Sequence, residues 1–228
     1  HPFRIGAGPA GRLLTAATFG VLAFLGAPVP VAYAAAYVAN TIADNTTSGD
    51  SLCTLREAMG SANNAGNGDC GASSGADDTI TFSVSGTIAL GSQLPNILGG
   101  QGALTIDGIA QTVTLSGSNA VRVLQVDSGA TLTLQNLTVA NGGLSGAAGA
   151  GVLNNGTLTV ANSTFSGNIV TGFGNGGGIY SGGTLTVANS TFSGNSAFIG
   201  GGIATDNPTT SIIANSTFSG NSAVQGGA

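Results

Sequence analysis

The chain has 228 residues, 40 of them glycine, with a formal net charge of −5, four arginines and no lysine. This length suits one domain, and the scarcity of charge means that Ser, Thr and Asn must keep the surface soluble. Nucleic acid and anionic membrane surfaces are excluded as partners, because binding to phosphates requires clustered cations.

Residues 1–36 have the pattern of an export signal. Two arginines precede an apolar run at 13–25, and "AYA" at 32–34 is a small-x-small cleavage site. The alternative is a membrane anchor, but Pro28 and Pro30 interrupt the run before the ~20 residues that a span requires. We therefore predict a secreted or cell-surface protein whose mature chain has no transmembrane span.

The only two cysteines are Cys53 and Cys70. In an exported protein they meet an oxidising environment, which favours a disulfide between them. A metal site is the alternative, but the only histidine is His1, inside the predicted signal. We expect no metal and no cofactor.

The heptapeptide "NSTFSGN" occurs three times, at 162–168, 189–195 and 215–221, with spacings of 27 and 26 residues. Before the first two copies stands "TLTVA", in which apolar residues alternate with Thr as in a strand with one buried face. A fixed period of short strands separated by Gly and Asn predicts an all-β fold, a right-handed parallel β-helix (solenoid) with ~26-residue coils.

Stacking of equivalent residues in successive coils explains why the letters repeat. Equivalent positions lie about 4.8 Å apart, so like side chains form ladders. We expect a core ladder of Phe165, Phe192 and Phe218, and a corner ladder of Asn162, Asn189 and Asn215 whose amides bond to one another. The alternative for these asparagines is N-glycosylation, because each begins an Asn-x-Thr/Ser triplet.

Departures from the period predict surface loops. Counting between equivalent Phe and Ile residues places a three-residue insertion within 171–175 and a bulge near 206–208. The repeat breaks off after Phe218 within an unfinished coil, so we expect the natural protein to be longer.

The segment "CTLREAMGSANN" (53–64) is the best candidate for a helix. Thr54 and Glu57 form a capping box, and the apolar residues that follow recur at helical spacing. A short amphipathic helix before the coils suits a cap over the first of them.

"CTLREA" (53–58), "NN" (63–64), Cys70 and "DTITF" (78–82) closely resemble the CSLREA domain, with Thr54 in place of the signature Ser. The downstream "GGGI" (176–179) and the Phe-x-x-Asn copies are similar to the repeats of polymorphic outer-membrane autotransporters. The resemblance implies an exported bacterial β-helix protein, with a cap at 37–78 and coils at 79–228, and a C-terminal anchor beyond them.

Enzymes also use this fold, as polysaccharide lyases and glycoside hydrolases. Such chemistry requires facing carboxylates, or a base with a cation. The candidate residues for this alternative are Asp107, Arg122 and Asp127, but the two aspartates are 20 residues apart and so do not stack by period. Clustered aspartates in the cap are either calcium ligands or, without regular spacing, solvated loop charges.

The sequence therefore favours a surface-associated scaffold that serves adhesion or binds carbohydrate, whose partners would be glycans or cell-surface and matrix components. The alternative is a lyase or hydrolase of the pectate-lyase-like fold. The sequence leans against catalysis without deciding it.

Overall fold

The structure of the protein, a computed structural model, describes residues 34–66, 69–72, 75–206 and 210–225. The predicted signal lies outside these residues except for its last three positions. The predicted bulge near 206–208 also lies outside them except for Asp206.

The described residues form a parallel β-solenoid with four sheets, and the three coils between residues 131 and 205 each contribute one strand to each sheet. Sheet A contains β1 (Ala36–Ala39), β2 (Asp78–Phe82), β4 (Ala103–Asp107), β7 (Thr131–Gln135), β11 (Thr157–Ala161), β15 (Thr184–Ala188) and β19 (Ser211–Ala214). Sheet B contains β3 (Gly86–Ala89), β5 (Val113–Ser116), β8 (Thr138–Ala140), β12 (Thr164–Ser166), β16 (Thr191–Ser193) and β20 (Thr217–Ser219).

The two smaller sheets close each coil. Sheet C contains β9 (Gly143–Ser145), β13 (Ile169–Thr171), β17 (Ser196–Ile199) and β21 (Ser222–Gln225). Sheet D contains β6 (Leu124–Val126), β10 (Val152–Asn154), β14 (Ile179–Ser181) and β18 (Ile203–Thr205). Every strand pairs in parallel with its equivalent one coil away, which confirms the predicted solenoid.

The pairing register places like residues on like in the core. Leu132, Leu158 and Leu185 are partners on sheet A and are fully buried. On sheet B the rings of Phe165 and Phe192 stack with centroids 4.8 Å apart, and Phe218 continues the stack at 4.9 Å. A continuous apolar column therefore runs through the coils.

Left-handed backbone turns the chain between sheets. Asn162, Asn189 and Asn215 have φ near +50°, which Asn tolerates better than most residues, and they separate sheet A from sheet B. Gly176 and Gly200 have φ of +66° and +59° at the turn before sheet D. There a side chain would collide with backbone, since a Cβ on Gly200 would lie 2.2 Å from the carbonyl oxygen of Ile203.

The predicted helix is α1 (Leu55–Ala62), which lies in the chain between the first two strands of sheet A. Thr54 and Glu57 form the expected capping box, and Leu55 and Met59 are fully buried in the main core. A disulfide joins Cys53 to Cys70, as predicted. The helix thus caps the apolar column while β1 and β2 continue sheet A past it.

Candidate binding surface

The outward face of sheet B carries an unbroken threonine ladder. One Thr from each of its six strands pairs in register with the next, so the hydroxyls and methyls repeat at the strand spacing of about 4.8 Å. The sheet B ladder consists of Thr87, Thr114, Thr138, Thr164, Thr191 and Thr217.

Sheet A presents a second threonine array. Its outward positions form one ladder of five threonines and a shorter ladder two residues earlier in each strand. The sheet A ladders are Thr79, Thr105, Thr133, Thr159 and Thr186, and beside them Thr131, Thr157 and Thr184. Thr is stiff at χ1, so these hydroxyls are held in a regular array.

A different set of residues forms a ladder of amides inside the coils. Asn168 and Asn195 are fully buried. The side-chain oxygen of Asn195 accepts from the backbone N–H and the side-chain amide of Asn168, at 3.0 and 2.9 Å. Asn221 accepts from Asn195 in the same way, at 3.1 and 2.9 Å. These buried asparagines fix the turn between sheets B and C.

The corner asparagines predicted to form the amide ladder are instead exposed. Asn162, Asn189 and Asn215 lie on the surface, and their repetition follows from the left-handed backbone that each adopts. The buried ladder repeats with the same period, which is why the sequence alone did not separate the two sets. Burial of the amide distinguishes them.

The structure separates Asp107 from the other two candidate catalytic residues. Asp107 is 8% exposed at the end of β4. One carboxylate oxygen accepts from the N–H of Ile109 and the amide of Asn136, at 2.9 and 2.7 Å, and the other accepts from Gln135 at 2.8 Å. The carboxylate therefore serves to hold the corner between sheets A and B.

Arg122 and Asp127 lie in one polar network but do not pair directly. Nη1 of Arg122 donates to the side-chain oxygens of Gln93 and Gln125, both at 3.0 Å. Asp127 accepts from the amides of Gln125 and Asn96, at 2.7 and about 3.1 Å. Gln93 closes the ring by donating to Asn96 at 2.8 Å. Amide side chains thus stand between the guanidinium and the carboxylate.

The remaining donors of Arg122 hold a turn of the next coil. Nε and Nη2 donate to the carbonyl oxygens of Gly149 and Ala148, at 3.1 and 2.9 Å. Burial lowers the pKa of the Arg122 guanidinium from its ordinary value. This geometry assigns Arg122 a structural part, satisfying carbonyl groups that would otherwise lack donors.

Sheet C contains a step in the otherwise regular surface. Ile169 pairs with Ser196 and Asn175 pairs with Ile199, so seven residues on one coil face four on the next. The predicted three-residue insertion is thereby confirmed. Phe173, within the insertion, is 82% exposed, and its ring meets that of Phe198 edge-on with centroids 5.2 Å apart.

A family model described as "Right handed beta helix region" matches residues 101–228, which is more than half of the chain. The protein belongs to the right-handed β-helix family. Searches of curated proteins and of solved structures gave no significant match.

The cap of this β-helix carries the predicted acidic cluster and the second arginine of the described residues. Arg56 forms a bidentate pair with Asp44, at 2.7 and 3.0 Å, and donates to the carbonyl oxygens of Ser92 and Gln93. Asp44 also accepts from the N–H of Gly91 at 2.8 Å. These contacts tie helix α1 to the segment that carries Gln93, which belongs to the network of Arg122.

Carboxylates elsewhere in the cap accept mainly from backbone amides. Both oxygens of Asp69 accept, from the N–H groups of Gly49 and Ser51, and Asp77 accepts from that of Ala103. Within the described part of the chain, no group of three or more His, Cys, Asp or Glu residues has a metal-binding arrangement. Nor does any helix there have the length and apolar character to cross a membrane.

Proposed function

We propose that this protein is an exported, surface-associated β-helix scaffold whose threonine ladders bind carbohydrate on a cell surface or matrix. The observation that supports this proposal best is the six-membered sheet B ladder. No charged residue occurs between Asp127 and Asp206, so the ladder lies on an uncharged surface over most of its length. A regular array of hydroxyls with no charge suits a repetitive, neutral, hydroxyl-rich ligand.

Repetition compensates for the weakness of single hydroxyl contacts. One hydrogen bond exchanged with water contributes only about 1 kcal/mol. Equivalent groups along a ladder engage several units of a polymer at once, and linked contacts of this kind raise avidity without any new type of contact. A rigid β-helix suits this mode of binding because its side chains need little further ordering.

Three observations support export. The disulfide between Cys53 and Cys70 is typical of an oxidising compartment. Residues 1–36 have the pattern of a signal peptide, and the "CTLREA" motif resembles a domain of exported bacterial proteins. A bacterial cell surface is therefore the location that we propose.

The lyase or hydrolase alternative has less support. Its candidate residues do not converge, because Asp107 lies at the corner between sheets A and B whereas Arg122 and Asp127 belong to the network beside the cap. Their donors and acceptors are engaged by neighbouring amides and carbonyls. No observation on the described residues favours catalysis over binding.

Removal of hydroxyls from the sheet B ladder tests the proposal. Substitution of Val for Thr138, Thr164 and Thr191 together removes three hydroxyls and keeps the β-branched shape. We expect binding to a panel of immobilised polysaccharides and bacterial cells to weaken at least ten-fold.

The matched control is Thr46→Val with Thr47→Val, which removes hydroxyls from the exposed cap loop and should leave binding unchanged. A full-length chain that binds no polysaccharide, matrix component or cell surface would contradict the proposal. Equal binding by the ladder variant and the control would show that the ladder is not the binding surface.

A further inference from the structure

The step on sheet C arises where coils of different length meet. The turn at 172–175 pairs with the turn before it, which is one residue shorter, since the N–H groups of Gly146 and Gly149 donate to the carbonyl oxygens of Thr171 and Asn175, at 2.8 and 2.9 Å. The following coil lacks the three extra residues. Two long turns therefore form a ledge beside strand β17, which belongs to a coil with a shorter turn.

Phe173 lies on this ledge with its side chain exposed, so the ring contributes little to the stability of the fold. Its side chain is 82% exposed, although burial of a phenyl ring would stabilise the fold by about 2 kcal/mol. The neighbouring glycines fix the turn, because Gly172 has φ of +75° and a Cβ on Gly174 would lie 2.0 Å from the carbonyl oxygen of Ala147. The backbone thus holds the ring outward against the half-buried Phe198.

A cleft lies on the same sheet, on the two coils that form the ledge and on the coil before them. Its volume is about 520 Å³, which is in the range of small-ligand sites. Both polar and apolar residues line it, among them Asn119, Ser145 and Thr171, and Leu144 and Ile169. Thr171 is two residues before Phe173, so the cleft ends near the aromatic pair.

We propose that the ledge and cleft form a binding site for a neutral oligosaccharide. The pyranose ring has an apolar C–H face that suits the exposed Phe173 ring, and its hydroxyls suit the amide and hydroxyl groups of the cleft. This inference rests on the proposed function and adds a defined subsite and a ligand class to it.

Charge and size select the ligand class. An acidic sugar requires a cation, and the sequence has no Lys or Arg after Arg122, whose donors are already engaged. A stable protein partner requires about 800 Å² on each side. Two rings and a cleft of this volume suit a few sugar units better.

Removal of the aromatic pair from the full chain tests the site. Titration calorimetry with neutral cello- and manno-oligosaccharides should show at least ten-fold weaker binding for Phe173→Ala, and none for Phe173→Ala with Phe198→Ala. The control is Ile109→Ala, another exposed apolar residue, 59% accessible, in the turn after β4. Phe173→Ala should keep the wild-type melting temperature, because the ring is exposed.

Unchanged affinity in Phe173→Ala would overturn the inference, as would preferential binding of polygalacturonate. Loss of self-association in Phe173→Ala without loss of sugar binding would also overturn it and identify a second copy as the occupant. If the threonine variant loses polysaccharide binding while the phenylalanine variants keep it, the subsite is refuted and the scaffold function stands. A wild-type chain that binds no surface at all refutes the scaffold function as well.

Discussion

Two asparagines in each copy of "NSTFSGN" occupy opposite environments. The first, such as Asn189, is exposed and turns the chain with a left-handed backbone, whereas the last, such as Asn195, is buried and joins its equivalents through its amide. Periodicity predicted that both would repeat. It could not predict which amide faces inward. In a strand, side chains alternate between the two faces, so burial can be inferred from position, but the turn after the phenylalanine interrupts that alternation.

Substitution of the buried amide should destabilise the coils. In Asn195→Ala the amide groups of Asn168 and the carbonyl of Phe165 lose a buried partner, which costs roughly 3 kcal/mol. For a chain of this size we expect the melting temperature to fall by about 8 °C.

The exposed asparagine provides the control. Asn189→Gly keeps the left-handed backbone accessible and should change the free energy of unfolding by less than about 0.5 kcal/mol. Similar melting temperatures for the two variants, measured by circular dichroism, would contradict the assignment of the ladder to Asn195.

Alkaline titration should show a raised pKa for Tyr180 on sheet D. A hydrogen bond with Asp206, together with burial and the charge of that carboxylate, raises the pKa of Tyr180 to about 12 from 10.0. The raised pKa stabilises the folded state fully below pH 10, and this contribution is lost as pH rises through 12. The phenolate absorbance of wild type minus that of Tyr180→Phe should appear near pH 12, and its appearance near pH 10 would contradict this contact.

The cap is an element whose parts were predictable but whose attachment was not. Helical spacing and the Thr54–Glu57 pair predicted α1, and the compartment argument predicted the disulfide. The network that joins Arg56 to the backbone carbonyl of Gln93 and Arg122 to its side-chain oxygen has no sequence signal, because its members come from three separate segments. Non-periodic contacts of this kind cannot be predicted from a repeat.

Loss of the cap disulfide should loosen this element. The bond closes a loop with a sequence separation of 17 residues, for which chain entropy predicts a contribution of about 3 kcal/mol. Dithiothreitol should lower the melting temperature of the wild type and speed proteolysis within the cap. The double variant Cys53→Ser with Cys70→Ser should melt at the same temperature with and without the reductant, and an unaffected wild type would contradict a stabilising disulfide.

At the scale of the whole molecule, each coil is stabilised by stacking on its neighbours through the core ladders. The positions of Phe165, Phe192 and Phe218 followed from the sequence, because a repeat of ~26 residues fixes which side chains stack. The insertion was also predictable by counting. That Phe173 would face solvent beside Phe198 was not predictable, since an insertion breaks the register from which burial is inferred.

Truncation of Phe192, the central ring of the stack, should destabilise the coils around it more than the distant coils. Phe192→Ala leaves a cavity in the stack and costs about 4 kcal/mol. Because each coil contacts only its neighbours, hydrogen exchange should quicken most in β12, β16 and β20 and least in β2 and β4. Phe192→Leu, which fills much of the space, should show a smaller effect, and a uniform loss of protection along the chain would contradict this coil-by-coil description.

The twelve residues "TLTVANSTFSGN" are spelled identically at 157–168 and 184–195. Deletion of residues 162–188 joins Ala161 to Asn189 and restores the same twelve letters. Each remaining strand would then pair with the equivalent strand of the adjacent coil. Recombination between two copies of the coding repeat can therefore add or remove a whole coil in one event, without creating a new junction. The length of this solenoid can therefore change by whole coils, and homologous chains are expected to differ in coil number while keeping the same cap.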